Sequence, residues 1–278
     1  MRRLGYRVSD ESSTLSPNST ISINRVLRRP LMWASCGLRP YMSHRISREV
    51  ATSRDLEGWV RFVFDFRLTV VPRRLELLAP IRPLQIPSEI LRLLRIVAEE
   101  RPQRVLEVGS AGGGTLFLFA RAASPDAVIV GLDLPPSGLG TGLDDWRVKL
   151  YEEAFAAPGQ TIHVIRGDSQ SAVTADRVER VLQGKSLDFL FLDADHSYEG
   201  VSRDFALYSP LVRRGGLIAF HDIVLDSLHR YGIRTIADTG EVPRFWTELK
   251  ERCHDRNEIR EIVENPFQDG KGIGVLRT

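Results

Sequence analysis

The residues best suited to chemistry gather in three short stretches. Asp193-Ala-Asp195-His196 follows one apolar run and His221-Asp222 follows another. Acids and histidines in such company suit two tasks: carboxylate oxygens hold a hard divalent cation, and an imidazole with a pKa near neutrality removes a proton. The third stretch, Glu107-Val-Gly109-Ser110-Ala-Gly112-Gly-Gly-Thr115, lies earlier in the chain. Its glycines let the backbone turn sharply and approach a ligand, and the apolar helix expected over Leu116 to Ala123 would present unpaired N–H groups to it. The chemistry implied is a nucleotide-like cofactor held beside an acid–base or metal centre. A glycine-rich turn of this kind also serves NAD, so alone it does not separate the two cofactor classes.

Two acids and a polar pair sharpen the reading. Glu107 stands two residues before the first glycine, where a carboxylate suits a cationic ligand and opposes a pyrophosphate. S-adenosylmethionine carries both an ammonium and a sulfonium. Asp133 ends the next apolar run, at the spacing from which an acid accepts hydrogen bonds from ribose hydroxyls. Asp168-Ser169 closes a third run and suits an adenine amino group. Each acid alone reads equally well as a helix cap; their recurrence at successive strand ends is what favours a ligand, because ligands bind at that edge of an open α/β sheet.

The elements that must position these residues follow from periodicity. After Pro102, short apolar runs alternate with helical patterns: Arg104 to Val108, Ala127 to Leu132, Thr161 to Ile165, Leu187 to Leu192 and Gly216 to Phe220 read as strands, and Glu258 to Val263 and Gly272 to Leu276 read as two more. The fold expected is α/β and Rossmann-like: a seven-stranded, mainly parallel sheet with helices on both faces and a C-terminal antiparallel hairpin. Neighbouring strand ends lie about 5 Å apart, so Asp193, His196, His221 and Asp222 can converge above the sheet. Before this domain, helices are expected from Ser53, with Leu56, Val60, Phe64 and Leu68 on one face, and over Pro87 to Ala98. The division is therefore an N-terminal arm over 1–52, flexible or loosely packed and rich in Ser, Arg and Pro; helices covering the site over 53–101; and the cofactor domain over 102–278. Glu89, Tyr198 and Trp246 are candidates for an acceptor pocket, with a place in the core as the plainer reading for the aromatic pair.

Composition narrows the function. Thirty-eight Lys plus Arg against 36 Asp plus Glu leave a net charge of +2, too weak a field to make nucleic acid an expected partner. Cys36 and Cys253 stand alone, without the spacing of a disulfide framework or a zinc site. No apolar run approaches the roughly 20 residues of a membrane span, and the polar stretch after Met1-Arg2-Arg3 lacks the apolar run of a secretory signal. A soluble, cytoplasmic chain is expected, with a homo-oligomer left open.

The run Arg104 to Thr115 resembles the first motif of class I S-adenosylmethionine-dependent methyltransferases, with Ala111 at the usual middle glycine. The stretches Phe191 to Gly200 and Leu211 to Asp222 are similar to the cephalosporin-hydroxylase-like group that includes sugar and rhamnosyl O-methyltransferases. The resemblance covers about Gln85 to Thr278. It implies a cofactor site of Glu107, Gly109, Ser110, Gly112, Asp133, Asp168 and Ser169. In the metal-dependent members, Mg²⁺ is held by an acid ending strand four and an acid pair, or an Asp-Asn pair, ending strand five. Those positions map to Asp193 and to His221-Asp222; histidine is unusual for Mg²⁺, so either the divalent cation is softer or there is none. The resemblance also implies His196 as the base, with Asp193 beside it, for methyl transfer to a hydroxyl of a small-molecule acceptor. A cap on the following helix is the plainer reading of His196. The rivals are an NAD-dependent oxidoreductase on the same glycines and a non-catalytic cofactor-binding partner.

Overall fold

The computed structural model describes residues 39–52, 54–66, 81–136, 142–253 and 259–278. Helices α1 (39–50), α2 (Leu56–Phe64) and α3 (Pro87–Glu100) lead into β1 (Arg104–Val108), α4 (Gly114–Ala122), β2 (Val128–Asp133), α5 (Asp145–Ala154), β3 (Thr161–Arg166) and α6 (Ala172–Leu182). The chain continues through β4 (Leu187–Leu192), α7 (Tyr198–Tyr208), β5 (Val212–His221), α8 (Ser227–Tyr231), α9 (Val242–Cys253), β6 (Ile259–Ile262) and β7 (Ile273–Arg277). The seven strands form one sheet in the order β3-β2-β1-β4-β5-β7-β6, parallel except where β7 pairs antiparallel with β5 and β6. The expected sheet is thus the observed one, with strand boundaries moved by up to a few residues; Glu258, the expected start of the sixth strand, lies outside the described residues.

The sheet explains where a site can form. The chain runs outward from β1 to β3, then returns to β4 on the other side of β1. The strand order reverses there, and the loops leaving β1 and β4 diverge to opposite faces, opening a crevice above their C-terminal ends. Strands covered on both faces need apolar residues at every position, and β4 reads Leu187-Asp-Phe-Leu-Phe-Leu192 with its last four residues buried. One face packs on α2 to α5 through Trp59, Phe117, Phe119 and Phe189; the other packs on α6, α7 and α9 through Val178, Tyr208, Phe245 and Trp246.

The N-terminal helices are integral to the first of these layers. Pro87 opens α3, where its missing N–H costs nothing, and Ile90, Leu93, Leu94 and Val97 bury one stripe of it. In α2, capped by the Asp55 carboxylate accepting from Gly58 N at 2.7 Å, the buried residues are Trp59, Val60 and Val63. Leu56 and Phe64 are half-buried beside them, and Leu68 lies outside the described residues. The arm expected over 1–52 is corrected at its end: residues 39–50 are helical, and Met42 and Ile46 are fully buried in the main core. Their spacing of four residues is one helical turn, a signal too short to stand out among the surrounding arginines.

Met42→Ala and Ile46→Ala are each expected to cost about 2 to 5 kcal/mol, as other buried large-to-small changes do. Deletion through residue 48 should lower the melting temperature. Urea denaturation of both variants and of the truncated chain tests this; unchanged midpoints would detach α1 from the core.

Candidate active site

A cavity of about 470 Å³ lies above the β1 and β4 ends. Gly109, Ser110, Ala111 and Gly112 form its floor, Asp133 and Arg147 one end, Asp193, His196, His221, Asp222 and Lys271 the other, and residues 82–85 its roof. Gly109 adopts φ +94°, and a Cβ there would meet the Asp193 carbonyl at 1.9 Å. Only glycine lets the first turn of the loop pass so close to the end of β4. Ala111, which replaces the usual middle glycine, takes φ +38°. Two hydrogen bonds hold it there: its N–H donates to Asp133 Oδ2 at 2.6 Å, and its carbonyl accepts from Tyr151 Oη at 3.1 Å.

Asp133 is placed as expected at the end of β2, with a further task that its spacing did not reveal. Besides Ala111 N, it accepts from Leu134 N at 2.7 Å through Oδ1. It therefore shapes the glycine loop as well as facing the cavity. Burial raises its pKa, and these two N–H groups oppose the rise.

Glu107 does not reach the cavity. It is fully buried beneath the loop, and burial pushes its carboxyl up to about 8 against the lowering influence of the Thr115 and Ser110 hydroxyls. Ser110 lines the cavity although only 1% exposed. Asp168 and Ser169 are not brought to the cavity wall. Asp168 Oδ1 accepts from Gln170 N in its own turn, and the Ser169 carbonyl accepts from Tyr208 Oη beneath α7. Both follow β3, an outer strand of the sheet.

At the other end the strand tips converge. Asp193 directly follows β4, its N–H donating to Val108 O at 2.8 Å. Its Oδ1 lies 3.1 Å from His221 Nδ1, and its Oδ2 accepts from Gln85 Nε2 at 2.7 Å. Burial alone would raise its pKa; His221 and His196 overcome this and hold it down to about 2. Asp222 is 2% exposed in a left-handed conformation, φ +60°, with Oδ2 3.1 Å from His221 Nδ1 and 3.4 Å from His196 Nε2.

His221, expected as a ligand, takes a different place. It is fully buried, and its Nδ1 is shared between the two carboxylates. Burial lowers its pKa, but Asp193 and Asp222 win and push it up to about 10. The groups whose donor atoms lie within 4.8 Å of one another are Asp193, His196 and Asp222. His196 therefore enters the candidate cation site from the strand-four side, and His221 braces it from behind, much as outer groups orient metal ligands. The donor set of two carboxylates and one imidazole fits a divalent cation of intermediate softness such as Mn²⁺.

His196 Nδ1 lies 2.5 Å from the Asp238 carbonyl, which can only accept, so Nδ1 carries a proton and Nε2 faces the carboxylates. The Asp193 hydrogen bond, followed by the Asp222 charge, lifts its pKa to about 9 against the cost of burial.

The three residues expected in an acceptor pocket serve elsewhere. Glu89, fully buried, accepts from Glu264 N, Gln268 Nε2 and Gly272 N, tying α3 to the turn before β7. Trp246 is core, packed on Phe220 with Nε1 donating to Glu261 at 2.7 Å. Tyr198 sits between α7 and α9, its ring 6.0 Å from Phe245 and its hydroxyl on Glu248. Sequence reasoning missed Arg82, Gln85, Arg147 and Lys271. Gln85 sits between Pro83 and Pro87 and Lys271 between Gly270 and Gly272, patterns that signal a turn without saying what the turn faces.

A seven-stranded sheet that is parallel except at its antiparallel β7, with a crevice above the switch point, is the Rossmann-like fold expected from the resemblance to class I methyltransferases. Residues 106–223 are similar to the family described as a methyltransferase domain. The O-methyltransferase TomG of tomaymycin synthesis from Streptomyces achromogenes, solved with S-adenosylmethionine, superposes with TM-score 0.50 at 19% identity, over 85% of this chain and 95% of that one. An O-methyltransferase from Bacillus cereus, solved with S-adenosylhomocysteine, gives 0.51 at 18% identity, over 81% of this chain and 100% of that one. At these identities the likeness is one of fold. A protein of Acanthamoeba polyphaga mimivirus is 30% identical over 51% of the chain. The chain spans 61% of that protein's length and 17% of the length of a second curated relative.

Glu107 supplies a test of the site's foundations. Its folded pKa of about 8 lies above the ordinary 4.5. Neutral Glu107 thus contributes stability that is fully present below about 4.5 and is lost as pH rises through 8. Glu107→Gln removes that dependence and should gain on the wild type by a few kcal/mol between pH 5 and pH 9. Urea unfolding at both pH values checks this; parallel profiles would show that Glu107 ionises freely.

Proposed function

We propose that the chain is an S-adenosylmethionine-dependent O-methyltransferase acting in the cytoplasm on a hydroxyl of a small molecule, a sugar, a glycosylated natural product or a phenol. The observation that carries this is the meeting, in one cavity, of the glycine loop and Asp133 with the Asp193, His196 and Asp222 cluster. The cofactors solved with TomG and the Bacillus cereus enzyme support the choice of methyl donor. No helix among the described residues is long and apolar enough to cross a membrane, which accords with a dissolved acceptor.

In the reaction the acceptor oxygen attacks the methyl carbon as the carbon–sulfur bond breaks. The electron pair stays on sulfur, leaving a neutral thioether, and the hydroxyl proton goes to a base. Asp133 would hold the ribose at one end of the cavity, which would turn the sulfonium toward the other. His196 is the base in its neutral form: Asp238 holds a proton on Nδ1, and once the second proton that Asp193 and Asp222 favour on Nε2 is lost, as positive charge at those carboxylates would promote, the Nε2 lone pair is free to accept the hydroxyl proton. Asp193 and Asp222 would hold a divalent cation, which when bound supplies positive charge that lowers the pKa of a nearby hydroxyl. With Nδ1 committed, Nε2 has one lone pair, so His196 is either the base or a third cation ligand at a given moment.

Asp133→Ala should weaken S-adenosylhomocysteine binding roughly 10- to 100-fold, read by calorimetry on a folded variant; equal affinity would remove Asp133 from the site. His196→Ala should lower turnover by about 10²- to 10⁴-fold while leaving cofactor affinity alone. Acceptors are found by mass spectrometry of products from S-adenosylmethionine and a panel of glycosylated and phenolic compounds. Full turnover in His196→Ala would overturn its role as base, and loss of Mn²⁺ binding in the same variant would make it a ligand instead. Full activity of the wild type after EDTA treatment would remove the cation. Binding of labelled NADH, with none of labelled S-adenosylmethionine, would favour an oxidoreductase.

A further inference from the structure

Gln85 belongs to none of the positions that the first-strand and strand-end motifs single out. It lies in the roof segment just before α3, only 5% exposed, and lines the cavity. The roof rests directly on the loop side of the domain: a Cβ on Gly114 would meet the Ile81 carbonyl at 2.3 Å and the Pro83 ring at 2.6 Å. Gln85 Nε2 donates to Asp193 Oδ2 at 2.7 Å. A carboxylate can only accept, so this bond fixes which end of the carboxamide is nitrogen. The other end, Oε1, is then an acceptor, and among the described residues it has no hydrogen-bond partner. A buried acceptor left unpaired is costly, and one in a cavity wall is satisfied when the ligand brings a donor.

The sheet order identifies the donor. Asp133 ends β2, Gly109 follows β1 and Asp193 follows β4, and these strands are neighbours in that order. Given the cofactor reading above, on which this inference rests, the ribose lies at Asp133 and the methyl group at the Asp193 end. The aminocarboxypropyl arm then crosses the tip of β1, beneath the roof. Its ammonium has three N–H donors, and a position beside the Asp193 charge favours a cation. We infer that Gln85 is a cofactor-specificity residue whose Oε1 accepts a hydrogen bond from the ammonium of the amino-acid arm, while its Nε2 keeps Asp193 turned toward the cluster.

S-adenosylhomocysteine and 5′-methylthioadenosine separate this from a merely structural role, because the second lacks the amino-acid arm. In calorimetry on the full chain, Gln85→Met should bind S-adenosylhomocysteine roughly 10- to 100-fold more weakly and 5′-methylthioadenosine as the wild type does. Gln85→Leu serves the same comparison if the methionine variant does not fold. An equal loss for both ligands would mean that Gln85 only braces the roof, and no loss for either would mean that Oε1 serves something else; either result overturns the inference. A wild type that binds neither ligand would overturn the cofactor reading as well.

Discussion

Asp193 and Asp222 are held at the tips of adjacent parallel strands, with donor atoms within 4.8 Å and little access to water. At such a distance two full charges repel by about 3 to 4 kcal/mol in an effective dielectric of about 20. The rest of the site is arranged around that repulsion. His221 lies behind both and shares one N–H between them, His196 faces both from the side, Gln85 donates to Asp193 from above, and Lys271 Nζ stands 3.9 Å from Asp222 Oδ1. Each of these residues reaches the pair from a different element, so the cluster is also what binds the roof, the end of β5 and the turn before β7 into one cavity.

Backbone strain is concentrated at the same place. Among the described residues, five that are not glycine have positive φ. Arg101 and Gln183 end α3 and α6, where a left-handed residue is an ordinary way to stop a helix. The other three, Ala111, Asp222 and Lys271, all line the cavity. A left-handed residue other than glycine or asparagine costs on the order of 1 to 2 kcal/mol, and such conformations persist only where the surroundings over-determine them. Asp133 and Tyr151 do so for Ala111. For Lys271, its carbonyl accepts from Val224 N at 3.0 Å, joining the turn to the chain just beyond Asp222.

How much of this could be read beforehand depended on whether a residue's role was local. Strands buried on both faces announce themselves as apolar runs, and the residue that follows such a run stands at the ligand edge whatever the tertiary details; Asp133, Asp193, His196 and Asp222 were legible for that reason. Asp168 obeys the same local rule and still misses the cavity, because β3 lies two strands away from the switch point and strand order is a property of the whole sheet. Glu107 was placed on the correct strand, but whether its side chain meets the cavity or the core depends on the pleat. Trp246, Tyr198 and Glu89 carried chemical promise that packing and backbone hydrogen bonds had already claimed. Gln85 and Lys271 were invisible because each reaches the site from a turn distant in sequence from the strands it faces.

His221 stands where the resemblance to metal-dependent methyltransferases implies an acid, and the difference changes the charge balance of the cluster. In the resembling metal-dependent proteins a second acid, or the asparagine of an Asp-Asn pair, belongs to the strand-five end. A third carboxylate here would add its repulsion to that of Asp193 and Asp222, and only a cation could offset it. An imidazole does the opposite. Its Nδ1 proton lies 3.1 Å from an oxygen of each carboxylate, and the two carboxylates raise its pKa in turn, so the proton that binds them together is itself held by them. The pair is therefore stabilised from within the protein, and both carboxylate residues line the cavity. Asp222 Oδ1, buried and without a hydrogen-bond partner among the described residues, is the oxygen on which that arrangement leaves most capacity for a ligand.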